Sequence, residues 1–148
     1  KQLGSKCSFI VIDISQSSLN ICESMSEGEN VKFILKDIFE YHGSDKFDFI
    51  TVGEVIEHLE DPLKLLKKIH SMLNKNGTVY LTTPVNAPMI DHIYLFNNVN
   101  EIQELLQKAD FKIVDDVQVY SEELPEELAV KHKIPLMYAC FLKKIQLN

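Results

Sequence analysis

The chain has 148 residues, 45% hydrophobic and 25% charged, with a formal net charge of −7. That size and balance suit one globular domain with a core, and the acidic excess argues against a nucleic-acid backbone as the main partner, because proteins that bind one present a basic face. Cys7, Cys22 and Cys140 are too few and too widely spaced for a zinc ribbon or a disulfide framework, which points to reduced thiols in a cytoplasmic protein; no apolar run nears the roughly 18 residues of a membrane span, and KQLGSKC lacks the apolar stretch of a signal peptide.

SFIVID (8–13) is an apolar, β-branched run and reads as a strand buried on both faces, the habit of parallel sheets. SQSSLNICESMSE follows as a helix, with Ser15 as N-cap and Leu19, Cys22 and Met25 on one stripe. VKFILKD (31–37) is the next strand, IFEYHGSDK is long enough only for a turn, and FDFITVG (47–53) is a further buried strand. Asp61-Pro62 opens a helix, pairing an N-cap with proline at the first helical position. Leu65, Leu66, Ile69, Met72 and Leu73 recur at helical spacing, with Lys64, Lys67, Lys68 and His70 opposite, and Asn76-Gly77 signals a left-handed stop.

TVYLTTP (78–84) is a strand, and VNEIQELLQKAD (99–110) is an amphipathic helix with Ile102, Leu105, Leu106 and Ala109 inward. FKIVDDVQVY (111–120) and MYACFLKKI (137–145) are the last strands, the final one expected to run antiparallel, with a short acidic helix signal in SEELPEELAVKHKIPL between them. Leu124, Leu128 and Val130 of that segment are placed either to face a ligand or, the preferred use, to pack on the core, while Lys131, His132 and Lys133 form a solvated run. His42, His70 and His132 read as surface or loop residues.

This alternation predicts an α/β, Rossmann-like, mostly parallel sheet with helices on both faces. Ligands in such sheets sit beyond the carboxyl ends of the strands, which directs attention to Asp13, Asp37, Val52-Gly53-Glu54 and Thr83-Pro84-Val85-Asn86. Asp13 is placed either to accept from a ribose diol or to open a turn and cap the next helix. Asp37 is placed to accept from an exocyclic amine, or only to end a strand. In GEVIEHLEDP (53–62), Glu54, Glu57 and His58 would share one face if the segment were helical. Such a face could bind a metal, border a cofactor pocket, or simply begin a helix.

Taken together, VIDIS, LKDI and FDFITVGEVIEHLEDPLKLLKKIHSMLNKNGTVYLTTPVNAP resemble a class I S-adenosylmethionine-dependent methyltransferase of the ubiquinone-biosynthesis or natural-product type. The order and spacing match over nearly the whole chain. The resemblance implies S-adenosylmethionine as cofactor, with Asp13 on the ribose hydroxyls, Ile14 on the adenine ring, Asp37 and Ile38 at the adenine edge, and Val52, Gly53 and Glu54 along the methionine part. It also implies a first strand and a glycine-rich loop ahead of Lys1. The chain itself has five glycines and no GxG. Residues 1–148 are therefore expected to form a single methyltransferase-type domain, the carboxyl-terminal portion of the full fold. Its open sheet edges would invite pairing with a second copy.

The expected reaction is methyl transfer to an oxygen or nitrogen of a small-molecule acceptor, with neither nucleic acid nor membrane as partner. His92, in NAPMIDHIYLF, is the candidate general base, with Asp91 expected to orient its ring, and His58 is a second candidate. The small-RNA 3′-end methyltransferases carry a similar EVIEH sequence. By that resemblance Glu54, Glu57, His58 and His92 would hold a cation for RNA 2′-O-methylation. The preferred assignment has no metal ligand. The remaining alternatives are a non-catalytic domain retained for protein association and a generic dinucleotide dehydrogenase, which would also need a glycine-rich loop and lacks the later motif match.

Overall fold

The structure, a computed structural model, describes residues 7–26, 30–43, 45–123 and 125–146. It separates into two compact units, Lys1–Ser44 and Asp45–Asn148. Leu124 lies outside the described residues.

In the first unit, β1 (Phe9–Asp13) pairs in parallel with β2 (Val31–Leu35), with Phe9 opposite Val31 and Asp13 opposite Leu35. Parallel neighbours need a crossover, which α1 (Gln16–Met25) supplies. Ser15 caps it as expected, its Oγ accepting the Ser18 N–H at 3.2 Å. Of the predicted stripe only Leu19 is buried, while Cys22 and Met25 are exposed. Two strands spaced about 4.8 Å apart are too narrow a platform to cover the whole stripe. β1 is not buried on both faces either: Phe9 is exposed and the rest of the strand half-buried. Among the described residues β2 is its one ladder partner. After β2, Asp37 caps a 3-10 turn over Ile38–Glu40 by accepting the Phe39 N–H at 2.8 Å.

The second unit is a four-stranded sheet in the order β3-β4-β6-β5, made of β3 (Phe47–Gly53), β4 (Leu73–Val85), β5 (Phe111–Tyr120) and β6 (Leu136–Lys144). β3 and β4 run parallel, and β6 is antiparallel to both β4 and β5, as predicted for the last strand. Between the strands come α2 (Pro62–Met72), α3 (Val99–Lys108) and α4 (Glu126–Lys131). Asp61 caps α2 through the Lys64 N–H at 3.0 Å, ahead of proline in the first turn. Leu65, Leu66, Ile69, Met72 and Leu73 are all buried, matching the helical spacing. β4 alternates, with Val79, Leu81, Thr83 and Val85 buried and their neighbours half-buried. Tyr138, Cys140 and Leu142 of β6 extend that core. Among the described residues no helix is long and apolar enough to cross a membrane.

Four expectations need correction. β3 is not a fully buried strand: only Val52 is buried and Phe49 is exposed, and among the described residues β4 is its one ladder partner. Asn76-Gly77 is not a left-handed cap: α2 ends at Met72 and β4 runs through the pair. Gly77 instead allows a close approach, since a Cβ there would stand 2.7 Å from Leu73 Cδ1 and 3.0 Å from the Phe47 carbonyl oxygen. His70, expected at the surface or in a loop, lies on α2 and is half-buried. Its ring meets Phe111 edge-on at 5.2 Å, and burial lowers its pKa below the usual 6.5, with Lys144 adding to the shift and Asp110 opposing it. Leu128 and Val130 of α4 are exposed, and the buried contact is made by Ala129 between them.

Candidate active site at the carboxyl end of β3

β3 ends at Gly53, and the next residue turns the chain sharply. Glu54 adopts a φ of 51°, a left-handed conformation that costs a non-glycine residue about 1–2 kcal/mol. Two bonds to β4 hold it: the Glu54 N–H donates to the Thr82 carbonyl at 3.1 Å, and the Thr82 hydroxyl donates to Glu54 Oε1 at 2.8 Å. A 3-10 turn over Ile56–His58 follows. There Glu57 turns inward, is 1% exposed, and accepts the Thr83 hydroxyl at 3.0 Å.

Thr82 and Thr83 are consecutive residues of a strand, so their side chains point to opposite faces of the sheet. Glu54 and Glu57 are thus tied to opposite faces. The single helical face predicted for Glu54, Glu57 and His58 does not form, because the left-handed turn at Glu54 breaks the periodicity.

Glu57 Oε1 has no hydrogen-bond partner among the described residues and lies 3.8 Å from His58 Nε2. Burial pushes the carboxyl pKa up. The backbone bond and the Thr83 bond oppose the shift, Glu54 adds to it, and His58 lowers it.

The loop after β4 brings the second imidazole. Asn86 has a φ of 54° and its N–H donates to the Phe96 carbonyl at 2.9 Å, while the Tyr94 N–H donates to the Glu57 carbonyl at 2.9 Å. Phe96 is buried and stacks against Tyr94, pinning the loop. Between these anchors, His92 Nδ1 lies 2.7 Å from the Ala87 carbonyl oxygen. His58 Nδ1 lies 2.8 Å from the Asp91 carbonyl oxygen. A carbonyl only accepts, so each Nδ1 carries the proton and each neutral ring keeps its lone pair at Nε2. The rings meet edge-on, with centroids 5.2 Å apart. One ligand atom from each of Glu57, His58 and His92 falls within 4.8 Å of the others.

The two predicted catalytic histidines are therefore neighbours. Asp91 does not orient His92, as expected from sequence adjacency; its carboxylate and carbonyl oxygens both face His58 Nδ1, the carboxylate at 3.9 Å. Val52 is buried beneath the turn, and Gly53 and Glu54 are exposed above it. In the first unit, Asp13 ends β1 with Oδ1 accepting the Ser15 N–H at 2.7 Å, and Ile14 beside it is 78% exposed. Asp37 is exposed and Ile38 half-buried in the turn it caps. The Thr83–Glu57 bond was not visible in the sequence. Thr83 stood out only as a strand-end residue, and the bond joins positions 26 apart.

The family model described as a methyltransferase domain matches residues 1–133. The chain belongs to that family. Among curated relatives of this methyltransferase domain, a ubiquinone biosynthesis O-methyltransferase of Coxiella burnetii is 24% identical over 153 residues. That alignment covers 88% of the chain but 65% of the relative, so the chain spans just under two thirds of its length. Among solved structures, the N-methyltransferase NodS of Bradyrhizobium japonicum, in complex with S-adenosyl-L-homocysteine, matches with a TM-score of 0.72 and 19% identity, over 98% of this chain and 71% of that one. The cyclase SpnF matches with a TM-score of 0.74 and 16% identity, over 97% of this chain and 68% of that one. These likenesses establish the α/β Rossmann-like fold.

Removing the hydroxyl that holds Glu57 leaves a buried carboxylate without its bond. Thr83→Val is expected to lower stability by about 1–3 kcal/mol in chemical denaturation, whereas Thr82→Val, at an exposed pair, should cost about 0.5 kcal/mol or less. Equal losses in the two variants would contradict the placement of Glu57.

Proposed function

We propose that this domain catalyses methyl transfer from S-adenosylmethionine to an oxygen or nitrogen of a small molecule. The observation that carries the reading is the pair of Nδ1-anchored imidazoles, His58 and His92, beside the buried Glu57 at the carboxyl end of β3. The ubiquinone O-methyltransferase relative and the N-methyltransferase neighbour in complex with S-adenosyl-L-homocysteine support it.

The residues fit the cofactor in chemical type. Asp13 offers a carboxylate whose rotamer is fixed by Ser15, as a ribose diol requires. Ile14 offers an exposed apolar side chain to adenine, and Asp37 and Ile38 would take the adenine edge. Val52, Gly53 and Glu54 would border the methionine part, Gly53 and Glu54 being exposed. When bound, the cofactor supplies a methyl group already activated on a sulfonium, so the protein's task is positioning and proton removal. His92, with its Nε2 lone pair free of the proton, takes the acceptor's proton as the methyl bond forms. His58 packs against that ring, and Glu57 stabilises positive charge on the pair.

A second reading follows from the unpartnered Glu57 Oε1. Glu57, His58 and His92 form a two-imidazole, one-carboxylate set that suits a divalent cation able to polarise the acceptor oxygen. Glu54 takes no part, being tied to Thr82. The net charge of −7 opposes RNA as the acceptor under either reading.

Calorimetry with S-adenosylhomocysteine tests the first reading. Binding is expected for the chain extended upstream, with a loss of about tenfold or more in Asp13→Ala, as for a charge-assisted pair of hydrogen bonds. His92→Ala should keep that affinity and slow turnover about 10²-fold or more. An extended chain that does not bind removes the assignment, and unchanged turnover removes His92 as base. For the second reading, manganese or zinc should raise the thermal midpoint of the wild type and leave Glu57→Gln unmoved. No shift in the wild type discards the cation.

A further inference from the structure

A cleft of about 290 Å³ opens within the second unit, among the ends of β4 and β5, the start of α3, and α4 with the turn after it. Its apolar lining includes Val85 and Leu136, both buried. Asn86, Asn100, Gln118 and Tyr120 are among its polar lining residues. The one charged side chain in the described lining is Lys133. The chain has 22 acidic residues against 15 basic ones, so a lining with one ammonium and no carboxylate reverses the character of the rest.

Two of the polar residues sit on constrained backbone. Asn86 and Lys133 have φ values of 54° and 50°, each costing about 1–3 kcal/mol where the residue is not glycine. Their N–H groups are held by the Phe96 carbonyl at 2.9 Å and the Val130 carbonyl at 3.1 Å. Asn86 also precedes Ala87, whose carbonyl anchors His92. One short segment thus lines the cleft and carries the proposed base.

We propose that this cleft holds the methyl acceptor by a carboxylate group, with Lys133 as counter-charge. The amides of Asn100 and Gln118 and the Tyr120 hydroxyl donate to the oxygens, and the apolar lining takes the carbon skeleton. The cleft, about 290 Å³, stands at the lower end of ligand pockets, which run about 300–1,000 Å³, and has room for a single-ring or short-chain acid. This rests on the methyl-transfer reading for the word acceptor, but the binding itself does not.

The matched probes are 3-hydroxybenzoate and 3-hydroxybenzamide, which differ in charge on the same ring. Titrated by NMR into the labelled chain without cofactor, the acid should bind about fivefold or more tightly than the amide, the scale of a partly exposed ion pair. It should shift the side-chain amides of Asn100 and Gln118. Lys133→Met should erase the preference while keeping the thermal midpoint, and Lys133→Arg should keep it. Equal affinities, a preference that survives in Lys133→Met, no binding of either probe, or shifts confined elsewhere would overturn the inference. Failure of the chain extended upstream to bind S-adenosylhomocysteine, while it still prefers the acid, would instead strike the methyl-transfer reading alone.

Discussion

The hydrogen bond from Thr83 to the Glu57 carboxylate is the constraint on which the site depends. It crosses from β4 to the turn after β3, where the one almost wholly buried carboxyl group among the described residues lies. Burying an unpaired carboxylate is costly, so the bond decides which way the 3-10 turn faces. The left-handed Glu54 makes the turn possible, and the adjacent Thr82 holds Glu54 on the opposite face. His58 follows Glu57 directly, and its position is therefore inherited. The Tyr94 N–H then ties the loop carrying His92 to the Glu57 backbone. A single corner of the sheet thus sets both imidazoles.

Much of the fold was legible because it rests on local rules. Ser15, Asp61-Pro62 and the apolar spacing of α2 and α3 act within a few residues of themselves, and each formed where expected. The span of β5 and the antiparallel direction of β6 also followed. What failed depended on neighbours distant in sequence. β1 and β3 have the composition of buried strands, but burial is decided by how many strands and helices cover them. His70 looked solvated among lysines, yet Phe111 comes over it from another element. Asn76-Gly77 looked like a stop, but Gly77 is needed where Leu73 and Phe47 crowd the strand.

The site shows the same division. His58 and His92 stand out in the sequence as histidines near strand ends, and the structure makes them neighbours. Their roles could not be read from sequence, because these depend on which carbonyl faces each Nδ1. Asp91 was matched to His92 by adjacency, whereas the loop turns it toward His58. Treating Glu54 and Glu57 as one face assumed a helix that the φ of Glu54 forbids.

Fold alone does not decide chemistry, as a cyclase and an N-methyltransferase with the same architecture illustrate. Proton removal at this site turns on two lone pairs: both imidazoles keep their proton on Nδ1 and present Nε2 to the site. Long-range proton–nitrogen NMR of the ring nitrogens above the histidine titration range measures this directly. The Nδ1–H tautomer is expected for both His58 and His92. Finding the Nε2–H tautomer at His92 would contradict it, since that nitrogen would then have no lone pair with which to accept a proton.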